Sequence, residues 1–426
     1  MYKFYRLLTN ICGPFIPLFL SSRKKNGKEN DQSIAEKCTT SFSKERSREI
    51  KKLLWIHGAS IGEAQSSLIL VKYLLGTYPE LNIMVTTGTL TSAELIKKRL
   101  PKRAFHQFCP LDHPKYVEKF LNYWRPDLAL WMESELWPNM LHEIKKRHIP
   151  AMLINAHMSP KSFKLWSHFP SLSKEILSTF DKILCQNNID KYHFDCLGAL
   201  NSIVTDNIKY SAAPLTHNEE DLKNIRNTTI ERNICLYAST HDGEEEIACQ
   251  IHQNLKQNIS NLLTIIVPRH PERRDDIAQA CSYFPLKLSF RGKNKNLPNN
   301  DDDIYIADTL GELGLFYELS PIAYIGRSLS NDGGGGHNPI EAAQLGCAIL
   351  HGPNVQNLQD IYTQIHKQNA AQEVKDKKSL EDALHNLLTD KNSCAALQHA
   401  ALSFAKNKAY VVKGITKEIS LQLDKI

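Results

Sequence analysis

A serine and a glutamate at the start of a helical segment could carry out proton chemistry. Ser60 and Glu63 follow the apolar run 53–56, and a helix-period segment begins directly after them at Ala64. We expect the dipole at the helix start to keep the Glu63 carboxylate ionised, and an ionised carboxylate in a cleft can accept a proton from a hydroxyl group. The S-x-x-E spacing is equally that of a helix capping box, so a purely structural role stays open.

Two further carboxylates stand at the end of another apolar run. Glu133 and Glu135 follow the run 128–132 and precede the pair Trp137–Pro138. Carboxylate oxygens accept hydrogen bonds from hydroxyl groups, and an aromatic ring offers a flat apolar face, so this segment suits a sugar. The alternative is a solvated turn with Trp137 in the core.

The second half of the sequence repeats this arrangement with different chemistry. Ser239 and His241 follow the run 234–237, and Arg269 follows the run 264–267. An arginine can grip a phosphate with its planar fork of donors. The alternatives are that Ser239 is a helix cap and that Arg269 is an ordinary solvated side chain.

A small glycine-containing turn offers a second kind of anion contact. Gly311, Glu312 and Leu313 open a helical segment, where backbone N–H groups are exposed. As a single signal this turn is weak.

Four consecutive glycines precede His337 in the segment 331–341 and would allow a ligand to approach the backbone closely. Asn338 at the N-cap, Pro339 at the first helical position and Glu341 in the first turn form a good helix start. That structural explanation covers Asn338 and Pro339, but not the glycines and His337.

Alternating strands and helices must position these residues. Short apolar runs alternate with helix-period segments in two sets separated by a polar stretch at about 213–230, which predicts parallel sheets covered by helices on both faces. The predicted strands are 53–56, 83–86, 128–132, 151–154, 183–185, 234–237, 264–267, 304–306, 322–325 and 348–350. Ligands of such sheets bind beyond the carboxyl ends of the strands, so we expect a cleft between two domains.

The positive charge of the sequence is concentrated at its start. The formal net charge is +6, but residues 1–52 alone carry 12 basic and 5 acidic residues, a net of +7, which leaves −1 for the rest. This distribution argues against a nucleic-acid-binding face. Residues 7–22 are uncharged and apolar, shorter than the roughly 20 residues of a spanning helix, and basic residues flank them. We expect a membrane-surface or partly inserted anchor; a signal peptide or a disordered tail are the alternatives. Residues 23–50 are predicted to be a polar tether.

Taken together, these segments and several others resemble, in order and spacing, the Kdo transferase family (3-deoxy-D-manno-octulosonic acid transferase of lipopolysaccharide synthesis). The resemblance extends from the N-terminal arm to about residue 390. The motifs are HGASIGE at 57–63, PLD at 110–112, MESELWPN at 132–139, NA at 155–156, STHDGEE at 239–245, PRHPER at 268–273, DTLGEL at 308–313 and GHNPIE at 336–341.

The resemblance implies an α/β protein of GT-B type, with two Rossmann-like domains facing a central cleft and an N-terminal membrane-anchoring segment. The expected division is an anchor and tether at 1–50, an acceptor-binding domain at 51–213 and a CMP-sugar-binding domain at 214–426. Its last helix is expected to pack back on the N-terminal domain. It implies inverting transfer of Kdo from CMP-Kdo to a tetra-acylated lipid A precursor, on the cytoplasmic face of the bacterial inner membrane. No cofactor, metal or nucleic acid is implied.

By position, Glu63 resembles the general base of the family. The residues that resemble its CMP-binding set are Arg269, Gly311, Glu312, Leu313, Asn338 and Glu341. We add Ser239, His241, Glu133 and Glu135 as further candidate substrate-binding residues.

The sequence departs from the family pattern at several positions. His157 stands where the family usually has arginine, Arg327 and Asp206 stand where it usually has glycine, and Ala342 replaces a usual proline. None of these removes a proposed catalytic group. Two other functions stay open: a different GT-B enzyme of sugar nucleotides, such as another glycosyltransferase or an epimerase, and a non-catalytic membrane adaptor.

Overall fold

The structure is a computed structural model that describes residues 1–47, 50–211, 213–330 and 332–426. The chain divides into two compact units. Unit 1 comprises Met1–Ala212 together with Ala409–Ile426, and unit 2 comprises Ala213–Lys408. The chain therefore leaves unit 2 before its end, and its last helix belongs to unit 1.

Unit 1 is built on a seven-stranded sheet in which all neighbouring strands pair in parallel, in the order β3-β2-β1-β4-β5-β6-β7. The strands are β1 Lys52–His57, β2 Leu81–Thr87, β3 Ala104–Phe108, β4 Leu128–Met132, β5 Ala151–Ala156, β6 Lys182–Cys185 and β7 Ser202–Val204.

Unit 2 contains a second seven-stranded parallel sheet, in the order β10-β11-β9-β8-β12-β13-β14. The strands are β8 Asn233–Thr240, β9 Leu262–Pro268, β10 Leu288–Phe290, β11 Ile304–Ile306, β12 Ile322–Ile325, β13 Ala348–His351 and β14 Gln372–Glu373. Two parallel α/β sheets, as the alternating pattern predicted, are confirmed.

Helices connect and cover the strands. They are α1 Tyr2–Cys12, α2 Ile16–Lys25, α3 Asp31–Lys37, α4 Ile61–Thr77, α5 Leu90–Arg99, α6 Pro114–Trp124, α7 Pro138–Lys146, α8 Pro160–Ser167, α9 Pro170–Leu177, α10 Asn188–Cys196, α11 Glu219–Thr228, α12 Glu244–Leu255, α13 Arg274–Cys281, α14 Leu313–Leu319, α15 Ile340–Gln344, α16 Gln359–Lys367, α17 Lys377–Thr389, α18 Lys391–Ala409 and α19 Val411–Leu423. Short 3₁₀ turns lie at Gly13–Phe15, Ile208–Ser211, Pro271–Arg273 and Gln356–Leu358. The polar stretch at 213–230, expected as a linker, thus contains helix α11.

The central strands are apolar along their whole length because both faces of each sheet are covered. Every residue of β4 and of β9 is buried. All ten predicted strands are present, and the four that the apolar runs did not predict, β3, β7, β10 and β14, are the four edge strands. An edge strand has a neighbour on one side only, so fewer of its residues need to be apolar.

The prediction of a polar tether at 23–50 is wrong for much of its length, because this part of the chain packs against edge strand β3. Helix α3 begins with a capping box between Asn30 and Ser33. Within α3, the Glu36 carboxylate is buried and accepts hydrogen bonds from the backbone N–H of Phe108 (2.7 Å) and the side-chain amide of Gln107 (2.9 Å). A charged side chain therefore closes this sheet edge.

Helix α1 contacts unit 1 through polar and aromatic groups. The Tyr2 ring stacks on His142 at 3.8 Å, and the Tyr5 hydroxyl donates to Asp112 Oδ2 at 2.9 Å. The large apolar side chains of residues 4–19 remain exposed; they are Phe4, Leu7, Leu8, Ile11, Phe15, Leu18 and Phe19. Across the described ranges, no helix is long and apolar enough to cross a membrane.

We predict that Glu36→Ala lowers the free energy of unfolding by about 3 kcal/mol, because it removes the buried acceptor of the Phe108 N–H and of one Gln107 amide bond. Chemical denaturation measures this change. Glu45→Ala is the matched control, since Glu45 is exposed in the same segment, and a surface change of this kind stays within about 0.5 kcal/mol. Equal stability of the two variants would mean that the segment is a solvated tether after all.

Candidate active site

The carboxylates of unit 1 lie at the point where the strand order of the sheet reverses, so that the sheet changes its direction of winding. Strand β1 pairs with β2 on one side and with β4 on the other, so the loops after β1 and β4 diverge and open a crevice at the carboxyl ends of the strands. Glu63 follows β1, and Glu133 and Glu135 follow β4. The fold thus brings these three predicted residues to one crevice.

Glu63 takes part in the helix start but does not complete a capping box. The Ser60 hydroxyl oxygen, at the N-cap of α4, accepts a hydrogen bond from the Glu63 N–H at 3.2 Å. The Glu63 carboxylate accepts a hydrogen bond from the backbone N–H of Ala59 at 2.9 Å rather than from the backbone N–H of Ser60. This bond uses only Oε2 of the carboxylate.

At neutral pH Glu63 is only partly ionised, in contrast to the expectation that the helix dipole keeps it charged. Burial, together with the negative charges of Glu133 and Glu135, raises the pKa of Glu63 to about 7 in spite of the hydrogen bonds from Ser60 and Ala59. A carboxylate with such a pKa is a much stronger base than a solvated one and is still substantially ionised near pH 7.

Glu133 and Glu135 are held differently. Glu133 has a positive φ of 56°, and its Oε1 lies 3.4 Å from Lys209 Nζ. Glu135 Oε2 accepts from the Trp137 indole N–H at 2.6 Å, so this turn is ordered by a side-chain hydrogen bond rather than merely solvated, as the alternative interpretation had it. Lys209 also lies near the helix start, since a Cβ on Gly62 would be 3.5 Å from its Nζ.

Lys209 is a site residue that the sequence reasoning did not assign. It lies far from the acidic motifs in the chain, and only the family-like stretch 206–209 pointed to it. Its ammonium group is a cation beside the Glu133 carboxylate.

His57, at the end of β1, is not a second base. Its side chain is fully buried, its Nδ1 lies 2.9 Å from the Thr86 hydroxyl, and its ring packs 4.5 Å from Trp131. Burial lowers the pKa of His57 to about 3. The imidazole is therefore neutral at physiological pH.

The second sheet also changes its direction of winding, between β8 and β12, which pair with each other. Ser239 near the end of β8 has a φ of 59°. A Cβ on Gly326, directly after β12, would lie 2.5 Å from the Ser239 carbonyl oxygen, so only glycine permits this approach of the two chains. Ser239, His241 and Arg269 thus share this end of the sheet with the loop that follows β12.

Arg269 and Glu341 form the charged part of this second site. The Arg269 side chain is exposed, while Glu341 is half-buried near the start of α15. Burial raises the pKa of Glu341, and the Arg269 charge opposes this. An exposed guanidinium beside a carboxylate suits a ligand that carries both a phosphate and hydroxyl groups.

Two imidazoles meet at the same place. His241 Nε2 and His337 Nε2 are 3.1 Å apart, and the rings stack at 5.2 Å. Burial, with the nearby cationic groups including Arg269, lowers the pKa of His337 to about 4. At neutral pH His337 is therefore uncharged and can donate or accept one hydrogen bond at each ring nitrogen.

The acidic residues after His241 have structural roles. Helix α12 begins with Gly243 at its N-cap, so the alternative of Ser239 as a cap is wrong. Glu244 is buried and accepts from the backbone N–H groups of His241 (2.9 Å) and Arg327 (2.7 Å). These bonds fix the ends of β8 and β12 relative to each other.

The Glu312 carboxylate forms an ion pair with Arg291. The carboxylate receives a two-pronged interaction from the fully buried Arg291, with Nε–Oε2 at 2.6 Å and Nη2–Oε1 at 2.8 Å. This pairing is the main reason why the pKa of Glu312 falls to about 2 in spite of its burial. Gly311 has a φ of 83°, and the turn to Leu313 can offer only its backbone to a ligand.

The glycine-rich loop leads into α15 one residue later than expected. The helix starts at Ile340 with Pro339 at its N-cap, and the Asn338 side chain accepts from the Ile340 N–H at 3.1 Å. A Cβ on Gly335 would lie 1.9 Å from the Asn357 side-chain oxygen, which explains a glycine there. Asn331, the first residue of this motif, lies outside the described residues.

Two departures from the family pattern occupy left-handed backbone. Asp206 has a φ of 64° and Arg327 a φ of 63°, the region that glycine adopts at low cost. A side chain at either position therefore carries a conformational cost that glycine would not carry. The third departure, His157, pairs with Asp190 at 3.1 Å.

No group of three or more His, Cys, Asp or Glu side chains in the described part of the chain could hold a metal ion.

Two parallel α/β units, each with polar groups at a change of winding direction, are typical of the GT-B fold. Solved structures with this fold include a glycosyltransferase from Rickettsia africae (TM-score 0.57, 14% identity, 88% of this chain and 98% of that one). Another is the UDP-GlcNAc 2-epimerase of Neisseria meningitidis (TM-score 0.56, 14% identity, 88% and 100%). At these identities the likeness concerns the fold alone.

The chain belongs to the Kdo transferase family. Residues 32–212 match the family model described as 3-Deoxy-D-manno-octulosonic-acid transferase (kdotransferase). The 3-deoxy-D-manno-octulosonic acid transferase of Rickettsia felis is 37% identical over 364 residues, which cover 85% of this chain and 77% of that protein. The protein is therefore a Kdo transferase.

We predict that kcat/KM for transfer falls about tenfold per pH unit below pH 7, because protonation of Glu63 removes the base. Glu133→Gln removes a negative charge that raises the pKa of Glu63, so the acid limb of the profile moves to lower pH. A series of pH–rate profiles measures this shift. Glu80→Gln, an exposed change in the same unit, is the control. An acid limb that stays at the same pH or moves to higher pH in Glu133→Gln would show that the Glu133 charge does not raise the pKa of Glu63.

Proposed function

We propose that the protein transfers Kdo from CMP-Kdo to a tetra-acylated lipid A precursor with inversion at the anomeric carbon. The observation that carries this proposal is the buried Glu63 carboxylate, with a pKa of about 7, at the change of winding direction in unit 1. Membership of the family supports the transferred sugar; donor, acceptor and stereochemistry are our proposal.

In the proposed mechanism, Glu63 accepts the proton of a primary hydroxyl of the lipid-linked glucosamine. The hydroxyl oxygen forms a bond to the anomeric carbon of Kdo while the bond to the CMP phosphate oxygen breaks on the opposite face, which inverts the configuration. Arg269 stabilises the charge that develops on the phosphate, together with backbone N–H groups of the turn 311–313. Glu341 would hold the ribose hydroxyls.

The remaining candidates serve substrate binding. Ser239 and His241 would contact the donor, together with Asn338, and Glu133 and Glu135 would contact acceptor hydroxyls in addition to raising the pKa of Glu63. The epimerase alternative receives support from fold likeness alone, and retention of Glu63 and Arg269 argues against a non-catalytic adaptor.

We predict that Glu63→Gln lowers kcat by at least about a hundredfold, because the amide cannot accept the proton. Binding of CMP is expected to stay within twofold of the wild type, since Glu63 belongs to unit 1. Mass spectrometry of acceptor lipid incubated with CMP-Kdo in detergent measures transfer, and calorimetry measures CMP binding. Turnover close to that of the wild type would remove Glu63 from the role of base.

The N-terminal helices support a membrane-bound acceptor. The exposed apolar side chains of α1 and α2 are flanked on both sides by basic residues, which are Lys3, Arg6, Arg23, Lys24, Lys25 and Lys28. Beside α1 lies an apolar cavity of about 370 Å³, lined among others by Leu8, Leu136 and Trp166. We propose that this surface docks on the anionic cytoplasmic face of the bacterial inner membrane, where apolar side chains enter the acyl boundary and basic ones contact headgroups.

We predict that the triple change Phe15→Ser, Leu18→Ser and Phe19→Ser reduces binding to vesicles that contain phosphatidylglycerol by at least about tenfold. These side chains are 64%, 70% and 56% exposed, so the fold should survive their loss. Vesicle flotation measures binding. The control is Ile230→Ser with Leu310→Ser, which removes equally exposed apolar groups from unit 2. Equal binding by all three proteins would refute the docking surface.

A further inference from the structure

Arg327 keeps a backbone conformation that disfavours it. Arg327 follows Gly326 directly after β12 and has a φ of 63°. This left-handed backbone conformation is sterically strained for any residue with a Cβ but not for glycine. A long cationic side chain thus stands at the change of winding direction of unit 2, at a position where glycine would be less strained. Strain of this kind is retained most often at functional positions.

The Arg327 guanidinium is held in place by the glycine-rich loop. A Cβ on Gly334 would lie 1.9 Å from Arg327 Cζ, so the absence of a side chain at Gly334 makes room for the guanidinium. Arg327 Nε donates to Asp332 Oδ2 at 3.0 Å, and the N–H of Gly334 donates to Oδ1 of the same carboxylate at 2.9 Å. The loop thus positions the cation and supplies one exchangeable counter-ion.

Arg327 lies on the opposite side of β8 from Arg269, since β8 pairs with β9 on one side and with β12 on the other. Both guanidinium groups lie near His337, because each contributes, after burial, to the lowered pKa of that imidazole. Asp332 is 39% exposed at its side chain. An incoming anion could therefore replace it at Arg327 without leaving a carboxylate buried.

We propose that Arg327 is a second guanidinium of the donor site, which binds an anionic group of the donor in exchange for Asp332. This inference rests on the proposed function, in which CMP-Kdo is the donor. Two groups of that molecule have the required chemistry, the phosphate and the sugar carboxylate. Either can accept two parallel N–H···O bonds from a guanidinium.

The variant Arg327→Gly separates a binding role from a structural one. Glycine relieves the backbone, so the free energy of unfolding should stay the same or rise, while affinity for the donor falls about tenfold or more, as expected for the loss of a charge-assisted hydrogen bond. Arg327→Lys should recover part of the affinity, because the charge stays while the planar fork is lost. Asn261→Gly is the matched control: Asn261 has a φ of 53° in the same unit and carries no charge.

Two measurements distinguish the anions. A higher Kd for CMP in the Arg327→Gly variant assigns Arg327 to the phosphate. An unchanged Kd for CMP with a KM for CMP-Kdo raised about tenfold assigns it to the sugar carboxylate. If both values match those of the wild type, the inference is overturned. A wild-type protein that fails to bind CMP would instead refute the donor assignment in the proposed function.

Discussion

Both units depend on the place where a parallel sheet changes its direction of winding. From β1 the chain proceeds to β2 on one side, while β4 and its successors extend the sheet on the other; β8 and β12 repeat this in unit 2. Because connections between parallel strands are right-handed, helices on the two sides of such a point cover opposite faces, and the loops between them separate. The crevices that result receive Glu63 and Glu133 in one unit, and Ser239 and Arg327 in the other.

The same constraint explains what the sequence could predict. Central strands such as β4 and β9 are covered on both faces, so they appear as continuous apolar runs, and the candidate residues follow them directly. Edge strands carry no such signal: β14 is two residues long and exposed. The segment around α3 was predicted to be solvated because it is charged, yet Glu36 is buried, since it satisfies donors of β3 that no strand can reach. Local composition does not encode that partner.

Site residues divide in a similar way. Position after a strand found Glu63, Glu133 and Arg269, but it could not tell a free carboxylate from one that is already paired. Glu312 was a candidate ligand, but its carboxylate is already paired with Arg291, which belongs to a different part of the sequence. Asp206 and Arg327 stand where the family usually has glycine, and both adopt the left-handed backbone that glycine adopts at low cost.

The near-neutral charge of the chain beyond residue 52 conceals two electrostatic environments of opposite sign. In the crevice of unit 1, Lys209 lies beside Glu133, while burial and the charges of Glu133 and Glu135 favour protonation of Glu63 and make it a base of useful strength. In the crevice of unit 2, burial together with the charges of Arg269 and Arg327 keeps His337 neutral, and the two guanidinium groups favour an added anion. The first environment suits the removal of a proton from a hydroxyl group, and the second suits the departure of a phosphate. The acidic groups of the first crevice and the basic groups of the second cancel when charges are summed over the sequence, but the fold keeps them in separate crevices.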